Sequence, residues 1–107
     1  MSFTVRWSSG ALDRLTSILD YIAEDNPSAA LGVVDRISVR VAGLGATPEI
    51  GSLYLRSGVG GLRQLLVRPY RIVYLVDEGR QVVHVVSVQH MREDSVSAEQ
   101  ILEDAEK

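Results

Sequence analysis

Leu62-Arg63-Gln64-Leu65-Leu66-Val67, then Arg71-Ile72-Val73-Tyr74-Leu75-Val76, then Gln81-Val82-Val83-His84-Val85-Val86-Ser87-Val88 are three runs rich in β-branched and aromatic residues. Between them stand Arg68-Pro69-Tyr70 and Asp77-Glu78-Gly79-Arg80, whose proline, aspartate and glycine are turn formers. Connections this short join antiparallel neighbours, so the three runs predict a β-meander. The third run is apolar on both faces, which marks a central strand.

Working back from the meander, residues 49–61 read as a loop, with Gly58, Gly60 and Gly61 freeing the backbone. Before it lies helical spacing. Ala30, Val33 or Val34, Ile37, Val41 and Leu44 recur on one helical face, and Gly43, Gly45 and Thr47-Pro48 close that helix. Its intrinsic propensity is poor, because Gly32, Val33, Val34, Val39 and Val41 all disfavour an isolated helix. Tertiary packing must hold it. An earlier stripe, Leu12, Leu15, Leu19 and Ile22 widened by Ala11 and Ile18, predicts another helix, with Ser8 and Ser9 as candidate N-caps. Asn26-Pro27 ends it, since the residue before proline avoids helical dihedrals, and Pro27 suits the first turn of the next helix. Phe3-Thr4-Val5-Arg6-Trp7 alternates as a strand. Working forward, Ser95 or Ser97 is placed to cap a last helix, Ala98–Glu106, with a thin apolar face of Ile101, Leu102 and Ala105.

The expected order is β-α-α-β-β-β with a C-terminal helix as a further candidate. That order describes an α+β fold: a small antiparallel sheet of about four strands with the 9–46 helical hairpin packed on one face. With 107 residues there is room for one domain, 1–107, with a core of about 3–94 and a C-terminal segment 95–107. The absence of cysteine excludes disulfides, thiolate metal sites and thiol nucleophiles, and fits a reducing, cytoplasmic setting. No leader sequence or membrane span is read in the chain.

The formal charge of −3 conceals a gradient. Residues 1–50 carry −2, residues 77–107 carry −5, and residues 51–76 carry +4 through Arg56, Arg63, Arg68 and Arg71 with no acid among them. Arginine binds phosphate or carboxylate through a planar fork of donors. His90, at a strand end beside charged residues, can act as acid or base near neutrality. Arg63, Arg71, His90 and Arg92 are therefore the candidate catalytic residues if the chain cleaves RNA, a reaction that needs a base, an acid and charge stabilisation at phosphorus. Arg56, Arg63, Arg68, Arg71, Tyr74, His90 and Arg92 are the candidates for contact with a target or partner. His84 reads as structural. His84 and His90 match no metal-site spacing, and Gly58-Val59-Gly60-Gly61 lacks the lysine and helix of a phosphate loop, so no metal or cofactor is expected.

Four segments in order resemble the RelE/ParE toxins of type II toxin–antitoxin modules: Leu15–Ala30, Pro48-Glu49-Ile50-Gly51, Leu62–Tyr74, and Val83–Asp94. Within that superfamily, Arg71 matches the arginine of the RelE tyrosine-arginine strand. The lysines of RelE-type enzymes fall near Leu62 and Gln64 here, and their C-terminal tyrosine near Ser97; Lys107 is the only lysine in the chain. His90 matches the histidine of YoeB-like relatives, with Met91 where their tyrosine stands. The ending Val88-x-His90-x-Arg92-x-Asp94 is similar to ParE. The resemblance thus implies a ParE-like, plasmid-stabilising toxin that arrests growth by inhibiting DNA gyrase and is held in a hetero-oligomer by a cognate antitoxin. The alternatives it leaves are a ribosome-dependent mRNA endoribonuclease, or a degenerate member that only binds antitoxin.

Overall fold

A computed structural model describes residues 2–55, 60–92 and 105. Strand β1, Thr4–Trp7, leads into α1, Ser9–Asp25, and α2, Pro27–Ala42, which closes through a single 3-10 turn at Gly43–Gly45. Strands β2, Ser52–Leu53, β3, Leu62–Val67, β4, Tyr70–Asp77, and β5, Val82–His90, complete the order. Each helix start has a local cause. The Ser8 side chain accepts from Ala11 N–H at 3.0 Å, and Asn26 Oδ1 accepts from Ala29 N–H at 3.1 Å, while Pro27 occupies the first turn.

The sheet runs β1-β5-β4-β3-β2. It has five strands rather than about four, and it is mixed rather than antiparallel throughout. The meander β3-β4-β5 is antiparallel as its short turns dictate, whereas β1 pairs parallel with β5, Thr4 opposite Val82 and Trp7 opposite Val85. Loop length constrains only consecutive strands, so it says nothing about β1, whose partner lies at the far end of the chain. The extra strand is β2, inside the segment read as loop. Its two residues pair with Gln64 and Arg63, and both are exposed, so no alternation announces them. As expected, β5 is interior. Beyond β1 its edge is closed by one backbone and one side-chain donor: Ser8 N–H donates to Val85 O at 3.0 Å and Arg14 Nε to Val88 O at 2.8 Å.

Both helices cover one face. Ala11, Val33, Ile37, Val41 and Leu44 pack with Leu65, Val67, Tyr70, Ile72, Tyr74, Val83, Val85 and Val88, and Leu15, Ile18, Leu19 and Ile22 flank them. In α2 the ambiguity between Val33 and Val34 resolves to Val33, which is buried while Val34 is only partly so. In α1 the stripe shifts: Leu12 is 47% exposed and Ala11, wholly buried, takes the inward position. An alanine there lets the helix approach the sheet closely. The opposite face has its own smaller cluster of Tyr54, Leu62, Val73 and Val86, against which Ala105 packs. The rest of the expected helix 98–106 lies outside the described residues. A register shift at Val73/Tyr74 makes Val86 an extra residue in β5: Val85 joins the helix-side core, whereas Val86 and Ser87, which pairs with Val73, both lie on the opposite face.

Candidate functional site: arginines divided between two faces of the sheet

Strand alternation assigns the candidate residues to faces. Arg63 pairs with Tyr74, and Tyr74 belongs to the helix-covered core, so Arg63 shares that face. Tyr70 pairs with His90 and their rings meet edge to face at 5.5 Å, again on the helix side. Arg71, between Tyr70 and Ile72, points to the opposite face, beside Leu66 and Gln89. The sheet therefore separates Arg71 from both Arg63 and His90. The four residues that would have to converge for RNA cleavage do not form one cluster.

Each is also committed locally. Arg71 is 8% exposed; its Nε donates to Gln64 Oε1 at 2.8 Å and its Cζ lies 5.0 Å from the centroid of the Tyr54 ring. Tyr54 in turn donates to Gln89 Oε1 at 3.5 Å. Arg71 Nη1 and Gln89 Nε2 are buried with no hydrogen-bond acceptor among the described residues. This polar network of Gln64, Arg71, Tyr54 and Gln89 was invisible in the sequence apart from two glutamines set in apolar strands. Arg63 braces the turn before β2, its Nη1 donating to Gly51 O at 2.8 Å and, more weakly, to Glu49 O at 3.4 Å. The Arg92 N–H donates to His90 Nδ1 at 3.0 Å, which places the proton of the neutral ring on Nε2. Arg92 and Arg68 have exposed side chains; Arg56 lies outside the described residues.

Tyr74 is wholly buried, and its hydroxyl accepts from Gly51 N–H at 2.9 Å. Burial raises its pKa above the ordinary 10.0, partly offset by that amide and by Arg63. The folded state thus holds the phenolic proton more tightly than the unfolded chain does. This contribution is complete below about pH 10 and is lost as pH rises through the folded pKa. Urea midpoints measured from about pH 8 to 11 should fall at the alkaline end, and less steeply in Tyr74→Phe. Equal slopes in the two proteins would rule Tyr74 out as the source. At the neighbouring turn, the hydrogen bond that protonated Glu78 donates to the Glu49 carboxylate, together with that carboxylate's charge, pushes the pKa of exposed Glu78 upward.

A helical hairpin on one face of a five-stranded sheet is a fold shared with solved structures of bacterial toxin–antitoxin proteins. The family model described as the ParE toxin of the type II toxin–antitoxin system parDE matches residues 5–95. The chain is 38% identical over 87 residues to Toxin RelE2 of Caulobacter vibrioides, covering 80% of this chain and 92% of that one. Among solved structures, the chromosomal ParDE system from P. aeruginosa superposes with a TM-score of 0.69 at 24% identity, covering 83% of this chain and 96% of that one. A mutant of E. coli toxin RelE in the free state superposes with a TM-score of 0.61 at 20% identity, covering 98% of this chain and 95% of that one. The chain belongs to the ParE toxin family of the RelE/ParE superfamily. Among the described residues no helix is long and apolar enough to cross a membrane.

Proposed function

We propose that this protein is a non-enzymatic, ParE-like toxin that arrests growth by inhibiting DNA gyrase and is neutralised by a cognate antitoxin in the cytoplasm. One observation carries this reading over RNA cleavage: Arg71 and His90 face opposite sides of the sheet, so no single substrate phosphate can meet both. A 2′-hydroxyl attack needs one group to take a proton and another to give one within hydrogen-bond reach of the same phosphodiester. Here His90 is held against Tyr70 while Arg71 is shielded under Tyr54. The arginines then act as contacts, with Arg68 and Arg92 the exposed ones and Arg63 partly so.

Purified protein should inhibit supercoiling by gyrase and leave ribosome-bound mRNA intact. Induction without antitoxin should stop growth with DNA damage. Arg63→Ala and Arg92→Ala should weaken the toxicity. Codon-specific cuts in ribosomal mRNA that vanish in His90→Ala, at unchanged melting temperature, would overturn this reading in favour of the endoribonuclease. A protein that binds antitoxin yet shows neither activity would be the degenerate member.

A further inference from the structure

Among the described residues, strand β3 is an edge strand for half its length. On the side away from β4, β2 pairs only with Arg63 and Gln64, and no described strand lies beside Leu65 to Val67. Backbone groups alternate along a strand, so their direction can be counted. Leu62 turns its carbonyl outward to accept from Tyr54 N–H at 2.7 Å. Four residues on, Leu66 turns its N–H and C=O the same way, away from β4. Such an edge is a ready template for another strand.

Helix α2 runs alongside this edge and leaves a groove of about 660 Å³, lined by Arg36, Val39, Arg40, Leu66, Val67 and Arg68. Its lining includes Leu66 and Val67, which project to opposite faces of the sheet, so the strand edge itself forms a wall. The groove is charged and apolar at once. Val39 is 72% exposed on the helix. Arg36, Arg40 and Arg68 are exposed, and none forms an ion pair with a described residue; Asp35 is the one acid present. Arg36 is already oriented, since its Nη1 donates to Arg68 O at 3.0 Å and so holds the guanidinium over the end of β3.

We infer that this groove receives an acidic, extended segment of the antitoxin, which adds to β3 as a short further strand. The inference rests on the antitoxin reading above. Leu66 offers one N–H and one C=O to the incoming backbone. An apolar side chain of the segment covers Val39, and its carboxylates meet the three arginines, whose planar forks suit carboxylate oxygens. The backbone pair and the exposed valine favour a peptide over a nucleic acid, which would match the arginines alone.

The test uses the full chain and the purified product of the adjacent reading frame. Wild-type protein should bind it, with affinity falling as salt rises. The double variant R40E/R68E, checked for an unchanged melting temperature, should bind roughly tenfold or more weakly and with a flatter salt dependence. Hydrogen exchange at the Leu66 amide should slow in the wild-type complex. If the wild type binds no product of the adjacent frame, the antitoxin reading fails and the inference with it. If the complex forms but R40E/R68E binds equally well and Leu66 exchanges at its free rate, the antitoxin reading stands and the groove assignment falls. Loss of binding to a short single-stranded RNA in R40E/R68E, with antitoxin affinity unchanged, would reassign the groove to nucleic acid. Self-association of R40E/R68E with antitoxin affinity unchanged would also overturn it, leaving the arginines as guards against edge-to-edge pairing.

Discussion

Gly51→Ala is expected to lower the melting temperature by roughly 10–20 °C, corresponding to about 3 kcal/mol in a domain of this size. The magnitude follows from what surrounds the residue. A Cβ built at Gly51 would collide with the carbonyl oxygen of Gln64 and would lie 2.6 Å from the Tyr74 hydroxyl and 2.9 Å from its Cε1. Neither neighbour can retreat cheaply: one is the backbone of β3, the other a wholly buried ring. Relief requires moving the 49–53 segment outward, which breaks the Gly51 N–H to Tyr74 hydroxyl bond and the Arg63 bond to Gly51 O. That leaves a buried phenol without its donor, a further cost of about 1–3 kcal/mol before the site relaxes. Thermal unfolding followed by circular dichroism decides the matter. A shift under about 2 °C would mean that β2 docks loosely and that Gly51 is dispensable.

Arg71→Ala is expected to cost about 2–4 kcal/mol, and Arg71→Met to restore most of that loss. The alanine removes a long buried stem, opens a cavity under Tyr54 and strands the Gln64 amide oxygen. The charge itself contributes little, because Nη1 has no acceptor among the described residues and a buried cation gains only what its partners return. Methionine keeps the apolar stem and gives up only the charge and one hydrogen bond. The pair of variants also separates stability from contact. If Arg71 is structural, toxicity should fall with melting temperature in Arg71→Ala and survive in Arg71→Met. Abolished toxicity in Arg71→Met at a wild-type melting temperature would instead make Arg71 a target contact.

These expectations show where the site departs from a reading of residue types. Arg63, Arg71 and His90 lie on adjacent strands of the meander. Adjacency along the chain does not fix the face, and it is the register Tyr70↔His90 and Arg71↔Gln89 that places histidine and arginine on opposite sides. Tyr74, a contact candidate by composition, is instead the acceptor that holds Gly51. Arg36 and Arg40 sit on the polar side of a helix, where solvated charges are ordinary. Only the neighbouring end of β3 gives them a shared groove.

The sequence by itself determined the helical hairpin, the Asn26-Pro27 joint within it and the meander. Those features depend on local causes: periodicity of apolar residues, caps, proline and short turns, all of which act over a few residues. The tertiary structure decided the parallel docking of β1 on β5, the two-residue β2, the Val86 bulge and the division of the arginines between faces. Each of these depends on contacts between residues far apart in the chain. There a shift of one residue in register exchanges the two faces of a strand, and no local pattern records which register packs best.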